Sequence, residues 1–244
     1  MKQAPTYLYR DRAALYDLIY HWKDYETEVR LLRALLADQG VADGARLLDV
    51  AAGTGQHLAR LQRWYEVAGL DVAAEMLEVA RPRLPGVELQ VADMASFAVE
   101  RPFDVVVCLF SSVGYLEDLA RLEAAARCFA AALRPGGLLV LQPWFTPEEA
   151  IDGVCMLDTY ESEELKLVRM SDGRVVDGRS VLEFHWLVGR PGGGVEAFVE
   201  RHELTLFTHQ QMLDALASAG LKAWFDPRDL GGRPGLYLAR RPER

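Results

Sequence analysis

The chain has 244 residues, half of them hydrophobic, and carries 36 acidic against 27 basic side chains for a formal net charge of −9. That is enough apolar material for one large core, and the scattered arginines of an acidic chain exclude a nucleic-acid partner, which needs clustered Lys and Arg to neutralise phosphates. Cys108, Cys128 and Cys155 show neither CxxC nor zinc spacing, the start has no apolar signal core, and no apolar run approaches the ~20 residues of a membrane span, so a cytoplasmic protein without a membrane partner is expected.

In chain order, Tyr16, Tyr20, Trp22 and Tyr25 crowd residues 14–28, which suits either a lid over a ligand or an amphipathic helix with packed aromatics. Asp24 can cap a helix with Glu26 and Glu28 in its first turn, an apolar stripe of Val29, Leu32, Leu35 and Leu36, and a stop at Gly40. Strands are expected over 46–51, 66–70, 87–91, 104–110 and 137–142, with helices near 55–63, 73–81 and 118–132. That alternation predicts an α/β fold with a parallel, doubly wound sheet.

Past residue 150 the pattern becomes extended segments, with turns expected at Asp172-Gly173 and Gly192-Gly193-Gly194, so antiparallel hairpins follow. In the middle segment Leu182, Phe184, Trp186 and Val188 share one face, while Val181, Glu183, His185 and Leu187 share the other, making His185 a candidate to face a site. Thr208, with Gln211 three residues on, predicts a capping box at the start of a last helix that ends at Gly220, followed by an antiparallel pair over 221–227 and 235–241. The whole reads as one domain over 1–244. It comprises an N-terminal helical lid (1–40), a cofactor-binding core (41–149), an antiparallel cap (150–206), and a final helix and hairpin (207–244).

Ligands of such sheets bind beyond the carboxyl ends of the strands. There "LLDVAAGTGQHL" breaks into Gly53-Thr54-Gly55, a pair able to admit a ligand close to the backbone, although a plain tight turn would use it too. A dinucleotide site would put a third glycine at position 58, which is Leu. Asp71 ends the second strand, where a carboxylate can accept both ribose hydroxyls or merely cap the next helix. Asp93 and Met94 end the third, where they can accept an adenine amino group and cover its ring.

These segments resemble the class I S-adenosylmethionine-dependent methyltransferases. "LLDVAAGTG", "GLDVAAEMLEVAR", "VADMASF", "FDVVVCLFSSVGYL" and "LRPGGLLVLQPW" follow that family's motifs in order over residues 45 to 145. The resemblance implies a Rossmann-like seven-stranded sheet with a reversed last hairpin and S-adenosylmethionine as cofactor. Its methionine part would lie on Ala51, Gly53, Thr54 and Gly55 and the backbone near Leu109, its ribose on Asp71, and its adenine on Asp93 and Met94. Val72, Met76 and Tyr25 would complete the cofactor site.

More narrowly, "LYDLIY", "KDY", "FSSVGYL", "PWFTPE", "EFHW", "ELTLF" and "GLYL" resemble the sugar N,N-dimethyltransferases that act on the amine of nucleotide-linked deoxyaminosugars. The departures are a segment shorter by about two residues before Lys23, Tyr115 where a His is expected, and Arg233 followed by Pro234 rather than Gly. The resemblance implies Tyr16, Tyr115 and His185 at the reacting amine, with Trp22, Trp144 and Arg233 on the rest of the acceptor. The expected reaction is one in-line methyl transfer to a neutral amine, with no metal, no essential protein base, and a possible homodimer. O-methylation of a metabolite hydroxyl, a nicotinamide-dependent oxidoreductase and a non-catalytic cofactor module are the competing readings.

Overall fold

The computed structural model describes residues 12–231 and 234–243. A short helix α1 (Ala13–Ile19) precedes α2 (Tyr25–Asp38), whose cap Asp24 accepts the Thr27 N–H at 3.0 Å. Strands and helices then alternate as β1 (Arg46–Val50), α3 (Gln56–Leu61), β2 (Glu66–Asp71), α4 (Ala74–Ala80), β3 (Glu88–Val91), β4 (Phe103–Cys108), α5 (Leu119–Ala132) and β5 (Leu133–Leu141). Four strands follow, β6 (Val154–Glu161), β7 (Lys166–Val176), β8 (Arg179–Arg190) and β9 (Gly194–Thr205). The described chain ends with α6 (His209–Ser218), β10 (Lys222–Asp229) and β11 (Pro234–Arg240).

The main sheet runs β10-β11-β5-β4-β1-β2-β3, parallel except for β11, which is antiparallel to both β5 and β10. Chain order reverses between β1 and β4, so a crevice opens there at the carboxyl strand ends. Both faces are covered: α5 and α6 bury Phe129, Leu122 and Leu216 on one side, and α2 and α3 bury Leu32, Leu36, Leu58 and Leu61 on the other. Burial on both faces is why the strands read as continuous apolar runs such as Val105–Cys108. The position expected to hold a packing glycine is Leu58, and the space comes from the strand instead. A Cβ on Gly69 of β2 would stand 2.6 Å from Leu58 Cδ1.

The second sheet, β6-β7-β8-β9, is wholly antiparallel. Its inner face sets Leu167, Phe184, Trp186 and Val188 against Ala13, Tyr16 and Ile19 of α1 and against Ala73 and Met76 at α4, forming a third apolar cluster. The turn expected at Asp172-Gly173 is corrected: these residues lie inside β7, where Gly173 makes room for Leu182, and the turn is at Asp177-Gly178, both with positive φ. Two Asp-Gly pairs fall between Lys166 and Arg190, and the second closes β7 onto β8 in a register that buries alternate residues of both. Among the described residues no helix is long and apolar enough to cross a membrane.

Candidate functional site

A cavity of about 290 Å³ lies beyond the strand ends, between the main sheet and the cap. Ala51, Gly53, Asp71, Val72, Met76, Asp93 and Met94 line its sheet side, and Tyr115 and His202 line its cap side. A smaller cavity of about 50 Å³ shares Tyr16, Ala51, Gly53 and Ser112 with it and adds Tyr25, Asp49, Thr54, His57 and Leu109.

The turn after β1 is built around Asp71. Its Oδ2 accepts the Gly53 N–H at 2.8 Å and its Oδ1 accepts the Ala73 N–H at 2.9 Å, tying the two strand ends together. Gly53 needs its left-handed φ of 56°, and Ala51 adopts φ 62° beside it at the cost of backbone strain, of the kind that gathers at ligand sites. Burial raises the Asp71 carboxyl above its usual range, and the amides of Ala73, Gly53 and Val72 hold it back. Gly55 does not line either cavity. A Cβ there would stand 2.5 Å from Leu84 Cδ1, so this glycine lets α3 pack against the chain after α4. Thr54 instead turns its Oγ1 to Asp17 Oδ1 at 2.6 Å.

At the β3 end, Asp93 Oδ1 accepts the Ala95 N–H at 2.9 Å, and its other oxygen pairs with Arg121 from α5. A carboxylate offers about four lone-pair positions, so these two bonds leave acceptor capacity toward the cavity beside Met94. After β4, the strand expected to run to residue 110 stops at Cys108, because Phe110 and Ser111 both take left-handed φ values of 52° and 64°. Gln142 at the end of β5 accepts the Phe110 N–H at 2.8 Å, and Ser111 Oγ donates to the Pro143 carbonyl at 2.8 Å. That strained elbow is what carries Leu109 and Tyr115 into the two cavities.

Residue by residue, the structure brings together Tyr16, Tyr25, Ala51, Gly53, Thr54, Asp71, Val72, Met76, Asp93, Met94, Leu109 and Tyr115. Besides Gly55, three expected residues stand outside both linings. Trp22 is 58% exposed and packs near Tyr20 rather than in the cavity, because the bend between α1 and α2 turns it outward. Trp144 lies against Gly114 and Phe145, outside both linings. His185 is exposed on the outer face of the cap, opposite Met170 and Val199, because its neighbours Phe184 and Trp186 take the inner face. Arg233 lies outside the described residues.

Sequence reasoning passed over several residues. His202, on the inner face of β9, stands in the cavity where His185 was expected, and its Nδ1 is 2.7 Å from the Tyr115 hydroxyl. Carrying the strand alternation across the Gly192–Gly194 turn would have found it. Asp49 of β1 is 1% exposed, lines the smaller cavity, and neither of its carboxylate oxygens has a hydrogen bond among the described residues. Burial first, then the charge of Asp71, push its pKa to about 8. Beside it His57 Nε2 meets Glu28 Oε2 at 2.8 Å, and Glu28 also pairs with the buried Lys23. Only the fold brings that trio together, since His57, which lines the smaller cavity, is 29 residues from Glu28.

This donor set fits a nucleoside carrying a cationic amino-acid tail. Asp93 and Met94 would take a base, Asp71 a pair of vicinal hydroxyls, and the orphaned Asp49 carboxyl an ammonium group. The family profile described as "Methyltransferase domain" matches residues 47–137. The chain is 39% identical over 228 residues to a dTDP-3-amino-3,6-dideoxy-alpha-D-glucopyranose N,N-dimethyltransferase of Streptomyces fradiae, covering 92% of this chain and 89% of that one. Among solved structures it matches DesVI of Streptomyces venezuelae with a TM-score of 0.87 and 37% identity, over 95% of this chain and 98% of that one. It also matches CalS10, an amino pentose methyltransferase from Micromonospora echinaspora solved with S-adenosylmethionine bound. The TM-score there is 0.81 and the identity 36%, over 93% and 96% of the two chains.

Proposed function

The chain belongs to the S-adenosylmethionine-dependent aminosugar N-methyltransferases, and from that membership we propose that it methylates the amine of a nucleotide-linked deoxyaminosugar. The observation that carries this reading is one continuous site in which Asp71, Asp93 and Met94 face Tyr16, Tyr115 and His202 across a single cavity. S-Adenosylmethionine, when bound, supplies a methyl group already activated on a sulfonium.

What the chain contributes is placement. Asp71 holds the ribose hydroxyls, Asp93 with Met94 the adenine, and Asp49 the methionine ammonium, which keeps the reactive end beside the Ala51–Gly53 turn. Tyr16 and Tyr115 offer hydroxyl oxygens to the N–H groups of the acceptor, leaving the nitrogen lone pair for attack. Burial raises the Tyr16 pKa well above its usual value, so its hydroxyl stays protonated and neutral at any working pH. Positioning of this kind can supply roughly 7–11 kcal/mol of barrier reduction. The cap covers the site from the acceptor side, with Trp186 and Phe184 packed on α1 to fix its distance.

The proposal includes a homodimer. It is supported by the outer face of the cap, where Leu157, Met170, Leu187 and Val199 are all exposed apolar neighbours. Incubating the protein with S-adenosylmethionine and dTDP-3-amino-3,6-dideoxyglucose tests the reaction by mass spectrometry. Methyl groups on the sugar nitrogen are expected. Transfer to a hydroxyl of an amine-free dTDP-sugar, with none to the amine, would overturn the reading.

A further inference from the structure

The sugar ammonium must lose a proton before it can attack, and the inner face of the cap holds a chain of groups suited to receive it. Tyr115 ends the short 3-10 turn after β4 and lines the cavity, with its hydroxyl 2.7 Å from His202 Nδ1. His202 is 2% exposed, and the Phe184 ring covers it at 4.6 Å. Its Nε2 lies 4.0 Å from Glu200 Oε2, beyond a hydrogen bond but within ion-pair reach. Glu200 is also 2% exposed and accepts the indole N–H of Trp186 at 3.0 Å. A buried carboxylate on the Nε2 side assigns the ring proton there, which leaves the Nδ1 lone pair to accept the Tyr115 O–H. Tyr115 is thus the residue through which the pair reaches the cavity wall. The arrangement is an acid–base pair oriented by a third group, with a tyrosine as its contact to the acceptor.

We propose that Tyr115, His202 and Glu200 form a proton relay that converts the acceptor ammonium into the attacking amine; the proposal rests on the N-methyltransferase reading. One N–H bond of the ammonium breaks as its proton passes to the Tyr115 oxygen. The Tyr115 O–H bond breaks as that proton passes to His202 Nδ1. The products are a neutral amine, an unchanged tyrosine and an imidazolium beside the Glu200 carboxylate. Methyl transfer makes the nitrogen a cation again, and the imidazolium releases its proton to water when the product leaves, so one proton is released per methyl. A monomethylated product entering a second round must lose a proton by the same route, which ties the relay to completion of dimethylation.

His202 acts through Tyr115 and is therefore a positioning residue. Other charged or titratable groups also face this region: Asp71, Glu117, and Asp93 paired with Arg121 line the same cavity. Arg201 and Glu203 line the cavity on the same strand and bond each other at 2.9 Å. Arg169 of β7, whose guanidinium lies 4.8 Å from the centroid of the Phe184 ring, is paired with Asp158 at 2.6 Å. Tyr16 of α1 is held protonated by its burial. Glu200 is the buried carboxylate on the same strand as the imidazole, 4.0 Å from its Nε2.

The test is the pH profile of kcat/KM for wild type, His202→Asn and Tyr115→Phe, with dTDP-3-amino-3,6-dideoxyglucose, from about pH 6 to about pH 10. Both variants should fall about 10²-fold at neutral pH and converge on wild type at alkaline pH, where the amine is neutral in solution. Monomethylated product should accumulate in both at neutral pH. Calorimetric affinity for S-adenosylmethionine should stay unchanged, separating the relay from the cofactor site. An equal fractional loss at every pH, or no loss, would overturn the relay. Absence of transfer by wild type would instead overturn the reading beneath it. If His202→Asn does not fold, Tyr115→Phe, which keeps the ring in place, decides alone.

Discussion

The two walls of the cavity are built by different physics. The sheet wall is assembled from chain ends: three strands stop at nearly the same level, and each delivers its functional group within a few residues of its last ladder bond, Gly53 after β1, Asp71 at the end of β2, Asp93 after β3. The cap wall is assembled from faces: Phe184, Trp186, Glu200 and His202 reach inward only because two long strands alternate in a fixed register. A group at a strand end is fixed by local turn geometry. A group on a strand face is fixed by which way a whole hairpin lies, and a slip of one residue would take His202 away from the Phe184 ring that covers it.

That difference can be broken from the sheet side with the largest effect. Asp71→Ala removes the charge-assisted acceptor for two ribose hydroxyls, each bond worth about 1.5–3 kcal/mol, and releases the Gly53 and Ala73 amides that it organises. Calorimetry should show S-adenosylmethionine affinity reduced about 10²- to 10⁴-fold, with the acceptor's own affinity changed far less. Unchanged cofactor binding would mean that the strand-end carboxylate does not hold the ribose.

From the cap side, Trp186→Ala should act the other way round. Trp186 is 1% exposed and stacks on Phe198 at 5.7 Å, and truncating a buried Trp costs about 3–5 kcal/mol. Thermal unfolding should shift down, and the acceptor KM should rise several-fold more than the cofactor Kd. An equal loss of both would show that the two walls are one cooperative unit.

A third, smaller effect sharpens the contrast through pH. The Asp49 pKa is raised from its usual 3.8 to about 8, so the folded chain holds that proton more tightly than the unfolded one. The resulting stability is fully present below the unfolded value and is lost as pH rises through about 8. Asp49→Asn should therefore gain stability relative to wild type as pH rises across that window. If the ammonium of S-adenosylmethionine sits on Asp49, binding below about pH 8 must also expel a proton. Calorimetry in buffers of different ionisation enthalpy should detect that proton in wild type and not in the variant.

The same division explains what was legible. The five parallel strands were placed within a few residues of their observed bounds, and the strand-end acids stood in the right loops, because both signals are local: apolar runs, glycines and turn acids. The Asp172-Gly173 turn was misplaced because two Asp-Gly pairs compete and only cross-strand register chooses between them. Trp22 and Trp144 were drawn into the site by residue type, yet their direction is set by the bend after α1 and by packing on Gly114. Arg121 gave no signal, since it lies on a helix face 28 residues from the Asp93 that it pairs with.

The smallest expected effect is the most pointed comparison, because it concerns two histidines on neighbouring strands of one sheet. His202 pairs across the ladder with Leu182, and His185 pairs with Val199, three positions further along β8. Three is odd, and side chains on a strand change face at every step, so the two imidazoles emerge on opposite faces. One is enclosed under Phe184 with Tyr115 as partner, and the other stands exposed between Met170 and Val199. His185→Asn should leave stability within about 0.5 kcal/mol of wild type, the usual range for surface substitutions, and should leave the pH profile of kcat/KM superimposable on that of wild type. His202→Asn in the same preparation should separate the profiles at neutral pH. If the exposed histidine proved to be the one whose loss alters the profile, the cap would have to present its outer face to an acceptor, and the cavity between cap and sheet would not be where methyl transfer occurs.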